Sequence, residues 1–197
     1  MNPIPCKPYS SPCRCGFRLI GYKGAHDFYC KDEATLNDWM LKLHKVCILF
    51  NFSSRYSFGK LLGKGSFARV HFAERKKDGA KFAVKSIEKT KVLTDSRSMD
   101  SMLAELAVLR RVNHPNIIKL FEIYENDVYV HMVIEYLEGG ELFQCLKTKG
   151  LYSEKDAALA IKRVLEALKY CHALNIVHRD LKPENLILSY SQQNLYI

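Results

Sequence analysis

Asp78-Gly79 separates two runs in which apolar and polar residues alternate, ARVHFAER and AKFAVKSIEK. An Asp-Gly step reaches positive φ cheaply, and so suits the tight turn whose twist matches two antiparallel strands. With YSFGKLLGK ahead of it, the stretch from Tyr56 predicts three antiparallel strands. A helix is predicted over roughly 98–111. HPNIIKLFEIYENDVYVHMVIEYL then supplies two more strands, separated by Glu125-Asn126-Asp127. Beyond Gly139-Gly140 the pattern turns helical: Ser153 with Asp156 makes a capping box, and Ile161, Val164, Leu165 and Leu168 predict the buried stripe of a long helix. The fold class that follows is α+β, a small antiparallel sheet with one helix and then a helical region.

The first 55 residues have a different texture. Residues 1–16 carry prolines and serines without periodicity and predict a loose terminus. FRLIGY and DFYC predict short strands around a Lys23-Gly24 turn, and Leu36, Trp39, Met40, Leu43 and Cys47 lie at helical spacing behind Asp32 and Glu33. Two strands and a helix bury too little to stand alone, so residues 17–50 must lean on another element, with 51–55 as a linker.

At 197 residues the chain has room for one domain, or for one domain and a piece of another. A net charge of +9 suits an anionic partner such as a nucleotide, a phospholipid headgroup or nucleic acid, and equally suits a plain lysine-rich surface. The seven cysteines form no spaced framework, which argues against a zinc site or a disulfide scaffold and for a reducing, intracellular setting. VCILF, the longest apolar run, is far too short to cross a bilayer.

Three constellations carry chemistry. Gly63-Lys64-Gly65-Ser66-Phe67-Ala68 lies between two strands, where glycines let backbone N–H groups approach phosphate oxygens; turn chemistry is the simpler reading of the same residues. The strand-like ARVHFAER that follows disfavours a dinucleotide-binding fold, which needs a helix there. Lys85 ends FAVK on a buried-type strand, and Glu105 borders the apolar face of Met102, Leu106 and Leu109. Each wants a partner, and their pairing would aim Lys85 at a nucleotide's phosphates. Asp180, Lys182 and Asn185 follow a helix, where such residues commonly make a polar loop. As a phosphotransfer loop, Asp180 would orient a substrate hydroxyl, Lys182 would neutralise the transferring phosphoryl and Asn185 would ligate magnesium.

GKGSFARV, FAVK, Glu105, HPN, EYLEGGELF and HRDLKPEN stand in the order and at the spacing of the eukaryotic protein kinase family, which residues 56–197 resemble. Lys182 resembles the serine/threonine class, and MVIEYLEGGELF with PENLIL resembles the calcium/calmodulin-dependent group. The resemblance implies an N-lobe with a five-stranded antiparallel sheet and one helix, the first helices of the C-lobe, and ATP and magnesium as cofactors. It also implies roles. Ile134 would be the gatekeeper, the backbones of Glu135 and Leu137 would hold the adenine edge, and Glu141 would meet the ribose or a basic substrate residue. Leu62, Val70 and Ala83 would line the adenine pocket, with Gly63, Lys64, Gly65 and Ser66 over the phosphates and Lys85 beside them. Ala68 departs from the family pattern by replacing its third glycine.

The family's Asp-Phe-Gly motif, which carries a principal magnesium ligand, would begin a few residues after Ile197. These 197 residues alone are therefore expected to transfer little phosphate and to leave apolar helix faces such as Ile161 and Leu168 uncovered. A calmodulin-binding tail would also fall beyond Ile197. Residues 17–50 resemble the last strands and closing helix of a pleckstrin-homology domain, with Trp39 as core tryptophan; a plain extension packing on the kinase sheet fits the same residues. Phosphoinositide binding is not transferred to Arg18 or Lys23. The expected partners are ATP and a protein substrate, with no nucleic acid. The alternatives are an ATP-binding pseudokinase scaffold and a membrane-surface module built on the first 55 residues.

Overall fold

The computed structural model describes residues 3–4, 15–21, 24–43, 46–65, 68–93, 96–149, 153–189 and 194–197. In chain order the elements are β1 (Pro3–Ile4), β2 (Cys15–Gly21), β3 (Gly24–Cys30), α1 (Glu33–Leu43), β4 (Ile48–Leu49), α2 (Phe52–Arg55), β5 (Tyr56–Lys64), β6 (Ala68–Arg75), β7 (Lys81–Glu88), α3 (Lys89–Leu93) and α4 (Ser96–Arg111). Then come β8 (Leu120–Glu125), β9 (Tyr129–Glu135), β10 (Gly140–Glu141), α5 (Leu142–Lys149), α6 (Glu154–Ala173), β11 (Ile187–Ser189) and β12 (Asn194–Tyr196). Two compact units result, Met1–Met99 with Phe121–Val133, and Asp100–Leu120 with Ile134–Ile197.

The first unit is built on a sheet in the order β4-β8-β9-β7-β6-β5. Its five long strands are the five predicted. The sixth, β4, corrects the expected five-stranded antiparallel sheet: it adds a parallel edge, with Ile48 opposite Ile123 and Leu49 opposite Tyr124. Two residues are too few to show an alternation, so the sequence pattern carried no sign of it. The β6–β7 turn forms at Asp78-Gly79 as predicted. Gly79 sits at φ 69°, and the Asp78 carboxylate accepts from Arg75 at 2.9 and 2.7 Å and from the Ala80 amide at 3.2 Å.

Residues 15–43 make a hairpin and a helix, with β1 on the outer edge of the hairpin. Asp32 caps α1 by accepting from the Thr35 amide at 2.7 Å. Phe17 and Cys30 join Leu49, Phe52, Tyr56, Phe82, Val84, Tyr124 and Val133 in one buried cluster, and Leu36, Met40, Leu43 and Cys47 pack against it. Residues 15–52 thus share a core with the large sheet, and the 51–55 stretch expected as a linker is a helical turn with Phe52 buried. Trp39, expected at the core of α1, is instead 49 % exposed and lies tilted against Phe17, 6.3 Å between ring centres. It falls on the flank of the stripe that Leu36, Met40 and Leu43 turn inward.

This core contains one charged group. Glu122, 8 % exposed, accepts from the Tyr56 hydroxyl at 2.7 Å and the Tyr124 hydroxyl at 2.9 Å, with the Arg55 guanidinium 3.4 Å away. Those partners offset the desolvation of the carboxylate. Burial, with the adjoining carboxylate, raises both tyrosine hydroxyls well above their ordinary range.

In the second unit α6 begins at Ser153, whose hydroxyl accepts from the Asp156 amide at 3.1 Å, and ends where Asn175 takes φ 59°. Its inward residues are Val164, Ala167 and Cys171, which corrects the predicted stripe: Ile161 and Leu165 are each 58 % exposed, while Leu168 packs partly inward. Val164 meets Leu142 and Leu195, and Ala167 and Cys171 meet Ile117. The strands β10, β11 and β12 form a small antiparallel sheet. The Asn116 amide side chain donates to the Leu195 carbonyl at 2.8 Å, and the Asn116 carbonyl accepts from Ile197 at 3.0 Å, tying the loop after α4 to β12. Among the described residues no helix is long and apolar enough to cross a membrane, and Cys15, Cys30, Cys47, Cys145 and Cys171 are free thiols.

Candidate active site

In the first unit the predicted nucleotide-side residues lie on neighbouring strands. Register shifts in β5 between Phe58 and Leu61 and between Leu61 and Gly63 bend the strand as it approaches the glycine loop. Gly63 pairs with Val70, and Val70 in turn pairs with Lys85. A side chain at Gly63 would meet open space, so the backbone there is accessible to a ligand. The Gly65 amide donates to the Ala68 carbonyl at 2.8 Å. Ser66 lies outside the described residues. Leu62 is exposed, Ala83 is buried opposite Phe72, and Lys85 is half-buried near the middle of β7.

The second unit holds the loop chemistry. Asp180 comes after α6 and a left-handed Arg179 at φ 66°, a conformation costly for a residue that carries a Cβ. Its carboxylate stands 2.9 Å from the Lys182 ammonium and accepts from the Asn185 amide at 2.9 Å. The same Asn185 amide donates to the Asp180 carbonyl at 2.7 Å, so one side chain fixes both ends of the turn. Pro183 starts the single 3-10 turn Pro183–Asn185 that brings Asn185 back over Asp180. Lys182 first, then Asn185, holds the Asp180 carboxyl below the usual carboxylate range. The structure therefore brings Asp180, Lys182 and Asn185 into one cluster.

Glu141 lies on β10 opposite Ile187, two residues past Asn185. Gly139 allows that pairing, because a side chain there would run into the Leu188 carbonyl, and Gly140 at φ 67° turns the chain into the strand. Ile134 and Glu135 end β9, with the Glu135 amide donating to the Lys119 carbonyl at 2.9 Å, and Leu137 is buried just beyond. Glu105 is half-buried on α4 beside buried Leu106, the border position its spacing predicted.

Two supports went unread in the sequence. The His114 ring lies tilted against Tyr170, 5.2 Å between ring centres, and accepts from the Asn116 amide at 3.1 Å, so HPN, read in the sequence only as a family motif, also ties the loop after α4 to α6. Gly139 was taken only as a break between strand and helix. Its neighbour Gly140 was visible, but a close approach between residues 49 positions apart leaves no local mark.

The family model described as "Protein kinase domain" matches residues 56–197. Myosin light chain kinase A of Dictyostelium discoideum is 42% identical over 142 residues, 72% of this chain and 48% of that protein. Calcium/calmodulin-dependent protein kinase type 1 of Macrobrachium nipponense is 48% identical over 134 residues, 68% of this chain and 38% of that protein. Probable serine/threonine-protein kinase fhkD of Dictyostelium discoideum is 42% identical over 137 residues, 70% of this chain and 18% of that protein. The chain thus spans less than half the length of each of these relatives. The matched region begins at Tyr56 and gives the pleckstrin-homology resemblance of residues 17–50 no support.

Proposed function

Because this chain belongs to the protein kinase family, we propose that it provides the nucleotide lobe and catalytic loop of a serine/threonine kinase acting on a protein hydroxyl. The observation that carries this reading is the Asp180, Lys182 and Asn185 cluster. Bound ATP with magnesium supplies the γ-phosphoryl group and the charge neutralisation that its transfer needs. The donor set fits that pair: Asp180 and Asn185 offer hard carboxylate and amide oxygens, and the open backbone at Gly63 leaves room for phosphate.

Within this reading the ionised Asp180 carboxylate accepts a hydrogen bond from the substrate hydroxyl and orients it. Lys182 neutralises negative charge beside it, and Asn185 fixes the loop while presenting its amide oxygen to a cation. Lys85 and Glu105 are the residues that the family resemblance assigns to positioning phosphate. By the same resemblance Leu62, Val70 and Ala83 are assigned to the base, Ile134 and the Glu135 and Leu137 backbones to its edge, and Glu141 to the ribose. Gly63, Lys64, Gly65 and Ser66 cover the phosphates. Among the described residues no group of three His, Cys, Asp or Glu could hold a metal. Residues 1–197 on their own are proposed to turn over slowly. Residues 15–52 are proposed to serve as a structural extension of the sheet, since Phe17 and Cys30 are buried in its core.

The test is radiolabelled phosphate transfer from ATP to mixed serine, threonine and tyrosine peptides, by the purified chain and by any longer form of the protein. Asp180→Ala is expected to lower transfer by a factor of about a hundred or more. Label found only on tyrosine, or transfer that survives Asp180→Ala, would overturn the reading.

A further inference from the structure

The face of the sheet opposite Val70 and Lys85 carries a second concavity. Side chains alternate along a strand, so Arg69 and His71 on β6, and Ser86 and Glu88 on β7, emerge on the side away from Val70 and Lys85. Together with Phe58, Tyr129, His131 and Asn126 they line a cavity of about 410 Å³, a size ordinary for a small-molecule site. Its walls are rings. Phe58, 48 % exposed, stands edge-on to His71 at 5.3 Å and to His131 at 5.7 Å, and Tyr129 stacks on His131 at 5.6 Å.

The polar groups are unevenly satisfied. His131 Nδ1 is 2.8 Å from the Ser86 hydroxyl, and the Asn126 side chain lies 3.4 Å from Nε2. His71 Nδ1 is buried and has no hydrogen-bond partner among the described residues. A buried polar atom left this way is unfavourable, and a ligand group that reaches it would recover the loss. At the mouth stand three cations, Lys64, Arg69 and Lys91, against the single carboxylate of Glu88, which Lys91 holds at 2.8 Å. Burial and the neighbouring His71 favour the neutral form of His131.

We propose that this cavity binds a small planar aromatic anion, a hydroxylated aryl carboxylate. Its ring lies against Phe58 and Tyr129, its hydroxyl meets His71 Nδ1 and its carboxylate faces Arg69 at the rim. The rings supply flat apolar contact, the orphan nitrogen selects a polar substituent at the inner end, and the cationic mouth selects the charge at the outer end. Arg69, His71, Ser86 and Glu88 stand on the opposite face of β6 and β7 from Val70 and Lys85, whereas Lys64 at the rim belongs to the loop assigned to the phosphates.

The probe is a hydroxynaphthoate carrying its hydroxyl and carboxylate at opposite ends, titrated into the full 197-residue chain by calorimetry, with naphthoate and naphthol as controls. Loss of the carboxylate in naphthol, or the exposed substitution Arg69→Glu, is expected to weaken binding about tenfold, the scale of one charge-assisted contact. Loss of the hydroxyl in naphthoate, or His71→Phe, is expected to weaken it several-fold, and nuclear Overhauser contacts should run from the ligand to the Phe58 and Tyr129 rings. Should His71→Phe disturb the fold, Arg69→Glu and the two control ligands still decide the question. Absence of binding, naphthol binding within about twofold of hydroxynaphthoate, or contacts to Val70 and Ala83 in place of Phe58 would overturn the proposal.

Discussion

Glu122 shows how one residue can hold a core together while contributing nothing to its apolar area. Both tyrosine hydroxyls near it depend on its carboxylate. Glu122→Ala leaves two buried hydroxyls and the Arg55 guanidinium without that acceptor, and is expected to cost about 2–4 kcal/mol in urea unfolding. A loss below about 1 kcal/mol would mean that water replaces the carboxylate freely. His131 provides a second measurement. Its folded form titrates below the ordinary 6.5 because burial and His71 oppose its charge, so on acidification the unfolded chain takes up a proton first. Its contribution is therefore complete above the ordinary value and is lost as the pH falls through and below it. Stability should decline as the pH falls through the ordinary 6.5 and below it, and His131→Asn should flatten that decline. An equal slope in the variant would move the effect to another group. The candidate catalytic residues were legible at this scale because Asp180, Lys182 and Asn185 lie within six positions of one another. Their partners in the cluster are local, and a short sequence window contains all of them. The Tyr56–Glu122 bond spans 66 positions and left no such sign.

At the scale of elements, strands with alternation and a strong turn were readable and the choice of helix face was not. The five long strands form where alternation placed them, because an Asp-Gly turn and a two-residue period admit one register. Helix α6 has apolar residues on more than one side. Periodicity selected Ile161, Val164, Leu165 and Leu168, whereas packing kept Val164 and added Ala167 and Cys171, whose smaller side chains let Ile117 and Leu195 come close. Ala167, fully buried, is the sensitive position: Ala167→Leu should cost about 1–3 kcal/mol by overpacking. The exposed side answers differently. Ile161→Gln with Leu165→Gln should leave the melting temperature of these 197 residues unchanged and reduce self-association seen by light scattering. A lowered melting temperature would show that these side chains pack inward after all.

For the whole molecule, the extension before Tyr56 is the part that the kinase resemblance did not cover, and it supplies core. Phe17, Cys30, Leu49 and Phe52 share a cluster with Phe82, Val84 and Tyr124 of the large sheet. A chain starting at Asn51 would expose Val84 and Tyr124 partners on that face, and is expected to bind a hydrophobic dye and to melt at least about 5 °C lower than the full chain. Equal melting of the two would make the extension a passenger. The tie at Asn116 bears on synthesis. Its buried amide and carbonyl are answered by Leu195 and Ile197, which a ribosome adds some 80 residues later. The loop after α4 therefore has to wait, solvated and unlocked, while α5, α6 and the catalytic loop are made. Nascent chains stalled with Ile197 still inside the exit tunnel should be cut by protease near Asn116, and chains released past that point should resist.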